Sequence, residues 1–144
     1  MRSVTEHDVR RTALVVDYDL WERSFTSDVL AGEGYMVRGA SNGVSGLRLA
    51  QQQPCDVILL ALALPEMSGG EVLRHLKTTA ATRRIPVIVL GTAPDGPAFR
   101  AEGCIPQPLE EVQVACEVGR VVAVDNGVDG DAANSRKEAV NAPA

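Results

Sequence analysis

Residues 56–69 read Asp56-Val57-Ile58-Leu59-Leu60-Ala61-Leu62-Ala63-Leu64-Pro65-Glu66-Met67-Ser68-Gly69, and this stretch decides the fold of the chain. Its first half is a continuous apolar run, typical of a strand that is buried on both faces of a parallel sheet. Ser68, with Glu71 three residues later, has the spacing of a capping box at the start of a helix. The stretch therefore predicts a strand, a loop and a helix. Because functional groups collect at the carboxyl ends of such strands, Ala61 is the first position to interpret.

The same alternation runs through the rest of the sequence. Further strands are predicted at residues 12–16, 35–38 and 86–90, with a very short one at 103–106. Further helices are predicted after Asp19 (with Glu22 as a capping-box partner), after Asn42, and from Pro108 to about Val122. Strands separated by helices imply right-handed crossovers and a parallel sheet that is covered on both faces. The predicted fold is an α/β, flavodoxin-like three-layer sandwich with five parallel strands.

Helical spacing also predicts which faces are buried. Trp21, Phe25 and Val29 recur every four residues, so Trp21 is expected to pack, with an exposed interface as the alternative. The last helix is expected to bury one side, which carries Leu109, Val112, Cys116 and Gly119.

Composition and length fit one small domain, predicted at residues 12–123, between a flexible N-terminus (1–11) and a disordered polar tail (124–144). The net charge of −5 and an aromatic content of 3% argue against a nucleic-acid partner. The sequence shows no membrane-spanning run and no signal peptide. Three cysteines without a zinc-binding spacing are expected to be reduced thiols in the cytoplasm; a redox role of Cys104 is the minor alternative.

Six segments, taken in this order and spacing, resemble the response-regulator receiver domain of two-component signalling, the CheY-like fold. These segments are residues 14–17, 33–37, 40–43, 55–60, 64–70 and 84–90. Receivers of this family take a phosphoryl group onto an aspartate, with Mg²⁺ as the cofactor. The resemblance therefore implies a signalling module, and it can be examined position by position.

Carried over residue by residue, the resemblance implies that most of the reaction centre is missing. Asp17 matches the first of the paired acids that bind Mg²⁺, but the second acid falls on Tyr18. The phosphoacceptor falls on Ala61, whose methyl group cannot take a phosphoryl group. The switch Ser or Thr falls on Gly91, and the lysine before the last proline falls on Gln107. We expect no catalytic, cofactor-binding or metal-binding residues, and Mg²⁺ binding is expected to be lost.

The segment 91–108 also departs from the family. Two prolines and a glycine leave room for only a helical turn near residues 98–102, which predicts a shortened fourth helix before a shortened fifth strand. In receivers this surface docks partners. The change predicts either a looser sheet edge or a remodelled interface, and a homodimer is left open.

One further cluster is weighed as a cation site. Asp17, Asp19 and Glu66 could converge above the sheet; the alternative makes Asp19 a helix cap and Glu66 part of the loop surface.

The leading functional hypothesis is a stand-alone pseudo-receiver, which is not an enzyme and which signals by phosphorylation-independent binding. Its partner would be another signalling protein, such as a histidine kinase, a regulator or an output protein, or else a small ligand. Two alternatives stay open. One is a receiver that is phosphorylated at a displaced residue. The other is a flavodoxin-like protein that binds a cofactor or another ligand.

Overall fold

A computed structural model of the chain describes residues 11–91 and 101–130, with only the helical backbone for residues 124–130. In this part of the chain the strands are β1 (Thr12–Val16), β2 (Met36–Ala40), β3 (Val57–Ala61), β4 (Val87–Leu90) and β5 (Gly103–Ile105). The helices are α1 (Leu20–Gly32), α2 (Gly43–Gln52), α3 (Gly69–Thr78) and α4 (Glu111–Gly130).

The five strands form one parallel sheet in the order β2-β1-β3-β4-β5. The chain leaves β1 toward one edge of the sheet, then returns to β3 and continues toward the other edge. This reversal opens a crevice outside the carboxyl ends of β1 and β3, the position where open α/β sheets hold their sites. The predicted flavodoxin-like sandwich is confirmed.

Strand side chains alternate between two buried layers, as the two-residue period of a strand requires. Ala13 and Val15 of β1 pack with Leu30 of α1 and with the valines of α4. Leu14 and Val16 point to the opposite face, against α2 and α3. Both faces of the sheet are therefore covered, and all five residues of β3 are buried.

The helix α4 buries a different face from the one predicted. Val112 is 71% exposed, and Cys116 is also exposed. The buried side chains are those of Val114, Val118, Val121 and Val122. The sequence holds two apolar stripes at helical spacing, and the four branched valines bury more apolar area than the stripe that includes Gly119. The helix also begins at Glu111 and ends at Gly130, later at both ends than expected.

The prediction that Trp21 packs into the core is wrong. Trp21 is 84% exposed, whereas Val29 and Leu30 are buried. Each step of four residues advances a side chain by about 40° around a helix. The series from Trp21 to Val29 therefore drifts off the buried face, and its N-terminal member reaches solvent.

The short fifth strand is confirmed, and its entry is clamped by an ion pair. Lys77 Nζ lies 2.9 Å from Glu102 Oε2 and donates to the Ile85 carbonyl oxygen at 2.9 Å. The other oxygen of Glu102 accepts the backbone N–H of Val87 at 2.7 Å. The expected short helical turn falls mostly on residues 92–100, outside the described residues, as do residues 1–10 and 131–144. Across the described ranges, no helix is both long and apolar enough to cross a membrane.

Candidate functional site

A cleft of about 440 Å³ lies at the carboxyl ends of β1, β3 and β4. It brings together all five positions singled out in the sequence, along with neighbours from the adjoining loops and α1. The lining residues are Asp17, Tyr18, Asp19, Glu22, Ala61, Leu62, Ala63, Leu90, Gly91 and Gln107.

Ala61 is the last residue of β3 and is only 5% exposed. The loop that follows it folds back tightly: Gly69 N donates to the Leu62 carbonyl oxygen at 2.9 Å, and a Cβ on Gly69 would lie 2.5 Å from the Ala61 carbonyl oxygen. The backbone around the acceptor position is thus held closely. The side chain there is a methyl group, which has no lone pair to offer.

Asp17, directly after β1, is only 2% exposed. Its Oδ1 accepts the Asp19 backbone N–H at 3.0 Å, but its Oδ2 has no hydrogen-bond partner. Burial, the close approach of the Glu22 carboxyl group and the negative charges of Glu22 and Asp19 raise the pKa of Asp17 to about 7, although the hydrogen bond from the Asp19 N–H lowers it. Arg23 donates to the Asp17 carbonyl oxygen at 2.7 Å and not to the carboxylate. Its buried position beside two other acids therefore favours the protonated form of Asp17.

Glu22 is a member of the site that sequence reasoning missed. Asp19 caps α1 as predicted, since its side chain accepts the Glu22 N–H at 3.1 Å. The reciprocal half of the capping box does not form, because Asp17 takes the Asp19 N–H. Glu22 instead accepts the Gln107 Nε2 at 2.7 Å. The sequence contained an indication of this role, because an acid in the first turn of the helix that follows Asp17 can reach the same edge of the sheet.

Gly91 follows β4 with φ of 111°, a conformation that L side chains rarely adopt. A Cβ there would lie 3.1 Å from Gln107 Oε1. The Gly91 N–H donates to the Ile105 carbonyl oxygen at 2.7 Å, so this backbone conformation is tied to β5. The position assigned to the switch residue cannot hold Ser or Thr without strain.

The donor set of the cleft differs from the one that the receiver resemblance implies for Mg²⁺. Mg²⁺ prefers six oxygen ligands in near-octahedral geometry and is usually held by carboxylates. Tyr18 is 64% exposed and carries a phenol where the second acid is expected. Glu66, the third member of the hypothetical cation cluster, does not line the cleft, which corrects that hypothesis. Within residues 11–91 and 101–130, no three acidic, histidine or cysteine side chains are arranged to hold a metal ion.

A cleft at the crossover of a five-stranded parallel sheet is consistent with the fold of a receiver domain. The family model of the response regulator receiver domain matches residues 13–104. That range is more than half of the chain, and the chain belongs to the response regulator receiver family. Receiver domains act in two-component signalling by interacting with other signalling proteins.

Known proteins support the assignment. Protein PilH of Pseudomonas aeruginosa is 29% identical over 116 residues, which cover 76% of this chain and 96% of PilH. A probable cyclic di-GMP phosphodiesterase of Vibrio cholerae is 39% identical over 79 residues, which cover 55% of this chain but only 18% of that protein. The structure of the chemotaxis response regulator CheY4 of Vibrio cholerae is similar with a TM-score of 0.72 at 26% identity, covering 77% of this chain and 98% of CheY4. The CheY-like fold is thereby confirmed.

Proposed function

We propose that this chain is an atypical response regulator, a pseudo-receiver that signals by binding another protein without being phosphorylated. The observation that carries the proposal is Ala61, a methyl group at the buried end of β3 where the family places its phosphoacceptor. Phosphoryl transfer needs a nucleophilic oxygen at that point, together with cations that offset charge on the transferring group. Neither requirement is met by the residues at this position and around it.

The other altered positions support the same conclusion. Tyr18 removes the second acid, Gly91 removes the switch hydroxyl, and Gln107 removes the lysine. These changes are consistent with one another, because together they remove a metal-binding acid, a hydroxyl and a positive charge from one cleft. We propose that Mg²⁺ binding is lost with the acids and that no catalytic role remains.

The partner in this proposal is a signalling protein of the same pathway, such as a histidine kinase, a regulator or an output protein, in the cytoplasm. The intact β-sheet frame supports a fixed receiver-like conformation that a partner recognises. An unphosphorylated module can act by titrating that partner or by holding one conformation of it. A homodimer and binding of a small ligand are alternatives within this reading.

The test is phosphorylation by a small-molecule donor. The chain is incubated with acetyl phosphate and Mg²⁺, and its intact mass is measured beside a receiver that has an acceptor aspartate. We expect a phosphoryl adduct on the control protein and none on this chain. A stable adduct would contradict the proposal, and variants Asp17→Asn and Asp56→Asn would then locate a displaced acceptor.

An absorbance spectrum of the purified protein addresses the remaining alternative. A flavodoxin-like cofactor binder would retain a chromophore or nucleotide with its own absorption band. The pseudo-receiver is expected to show only the absorbance of its tryptophan and tyrosines.

A further inference from the structure

We propose that the cleft between Asp17 and Glu22 is a binding site for an organic cation, a guanidinium or primary ammonium group. This inference rests on the proposed function, because it takes the pocket to be free of a phosphoryl group. It adds the chemistry that the emptied pocket recognises.

The first observation is an oxygen atom without a partner. Asp17 is 98% buried (2% exposed), and its Oδ2 accepts no hydrogen bond. A buried acceptor that is left unpaired costs about 1–3 kcal/mol. A ligand with N–H donors that reaches this oxygen recovers the lost interaction.

The second observation is uncompensated charge. Three acids, Asp17, Asp19 and Glu22, line one cleft. Within the described ranges, neither of the two ion pairs includes any of them. Arg23, the basic side chain in contact with Asp17, is engaged with a carbonyl oxygen. The site therefore concentrates negative charge that the ion pairs of the described residues do not neutralise.

The third observation indicates nitrogen donors in preference to a metal ion. Glu22 already accepts an N–H from the neutral Gln107 amide at 2.7 Å, so its carboxylate is placed to receive such donors. A guanidinium or ammonium group brings several donors and a full charge, which makes stronger hydrogen bonds than neutral donors make. A bare metal ion would lack a sufficient ligand set among the described residues.

The remaining walls suit the rest of such a ligand. Ala61, Leu62 and Leu90 give the cleft an apolar side along which an alkyl stem can lie. Tyr18, which is 64% exposed, stands at the cleft and presents an aromatic ring to a cation near the opening. Acidic oxygens, an apolar wall and an aromatic ring together match an arginine-like or lysine-like group.

In the experiment, the full chain is titrated with four probes. NMR signals of the backbone amides and of the Gln107 side-chain amide monitor binding. The probes are the blocked amino acids N-acetyl-arginine amide and N-acetyl-lysine amide, the small-molecule cation agmatine, and N-acetyl-citrulline amide. Citrulline has nearly the shape of arginine but no charge. We expect saturable shifts at Asp17, Glu22 and Gln107 with at least one cation, and affinity lower by about tenfold or more with citrulline.

Two variants and one control locate the site. Asp17→Asn and Glu22→Gln each keep the shape of the side chain and are expected to weaken binding by about tenfold or more. Asp28→Asn changes an exposed acid of α1 and is expected to leave binding unchanged. If Asp17→Asn does not fold, Glu22→Gln still decides the question.

Binding should also release a proton. The charged groups that act on the Asp17 carboxylate are Asp19 and Glu22, and Arg23 binds its backbone carbonyl oxygen. The raised pKa of Asp17 predicts tighter binding at pH 8 than at pH 6, and a proton release that calorimetry in two buffers can measure.

The outcomes separate the sources of the cation. Binding of blocked arginine or lysine indicates a side chain carried by a partner protein, and binding of agmatine alone indicates a free small molecule. Equal binding of citrulline, shifts confined to other surfaces, or no shifts at millimolar probe would overturn the inference. The absence of a phosphoryl adduct is measured separately, so the proposed function can stand while this inference fails.

Discussion

Gln107 and Glu22 lie 85 residues apart in sequence and share a hydrogen bond, with Nε2 at 2.7 Å from Oε2. The bond connects α1 to the loop that precedes α4, across the mouth of the cleft. Gln107 stands where the family carries a lysine. Glu22 is the acid that the sequence pattern predicts as the capping-box partner of Asp19. A neutral amide and a carboxylate from distant parts of the chain therefore meet at the edge of the cleft.

Removing that contact is expected to cost stability. Gln107→Ala deletes one hydrogen bond to a charged acceptor, and we expect the free energy of unfolding to fall by about 0.5–2 kcal/mol. Gln113→Ala, an exposed glutamine of α4, is the matched control and should change stability little. Urea denaturation of both variants is the measurement. Equal effects of the two substitutions would show that the contact contributes nothing.

Asp17 predicts a dependence of stability on pH. Its pKa in the folded chain, about 7, lies above its ordinary value of 3.8, so the folded state binds the proton more tightly than the unfolded state does. The stabilisation of the folded state by this proton uptake is fully present below pH 3.8 and is lost as the pH rises to about 7. Asp17→Asn should remove this slope and raise stability at pH 8 by on the order of 2 kcal/mol relative to the wild type.

The comparison needs an acid that does not line the cleft. Asp28→Asn, on the exposed side of α1, should keep the slope of the wild type. Thermal unfolding between pH 4 and pH 8 measures all three proteins. A slope that survives in Asp17→Asn would assign the titration to another group.

Ala61→Asp restores the acceptor but should not restore phosphorylation. The added carboxylate joins Asp17 and Glu22 in a half-enclosed cleft, so we expect a loss of about 1–3 kcal/mol at pH 8 and a smaller loss at pH 5. Ala81→Asp, in an exposed turn, should cost less than about 0.5 kcal/mol. Intact mass after acetyl phosphate treatment should show no adduct, because Tyr18 still replaces the second acid. An adduct on the single variant would contradict this expectation.

Any substitution that adds a side chain at Gly91 is predicted to lower the stability of the fold. Its φ of 111° makes Gly91→Ala and Gly91→Thr strained, and we expect a loss of about 1–3 kcal/mol for each. Gly119→Ala provides a control of opposite sign: a Cβ on Gly119 meets nothing within 4 Å, and alanine favours a helix over glycine by about 1 kcal/mol. Chemical denaturation tests both. If Gly91→Ala left the free energy of unfolding unchanged, the backbone at this position would relax without strain.

Trp21 should be dispensable for folding. Because it is 84% exposed, Trp21→Ala is expected to change the free energy of unfolding by no more than about 0.5 kcal/mol. Leu30→Ala, at a fully buried position of the same helix, should cost about 2–5 kcal/mol. Tryptophan fluorescence of the native chain should resemble that of indole in water. A large loss in Trp21→Ala would restore the packing interpretation.

The buried strands and helix starts could be predicted because their causes are local. The apolar run ending at Ala61 can be satisfied only inside a sheet, and Ser68 with Glu71 forms the capping box that its spacing indicates. The resemblance also placed Asp17 and the four altered positions around the cleft in advance, since the ends of the strands near them are set by those same runs.

The prediction failed where a helix offers more than one apolar face that could be buried. The last helix offers two apolar stripes, and only packing against Ala13 and Val15 of β1 selects the valine stripe. Trp21 shares a four-residue spacing with Val29, but the rotation between them becomes decisive only once α1 lies on the sheet. Such choices depend on how much area each arrangement buries, which no single segment specifies.

By itself, the sequence determined the order of strands and helices, the capping of α1 and α3 and the absence of a carboxylate at position 61. These follow from periodicity, from side-chain hydrogen-bond acceptors close in the chain and from the identity of one residue. Only the tertiary structure decided that Glu22 turns toward Gln107, that Asp17 keeps an unpaired oxygen and that Gly91 adopts a positive φ. Each of these depends on groups that the folded sheet brings together from distant parts of the chain, where burial sets the energy of a charge and the backbone has no freedom to relax.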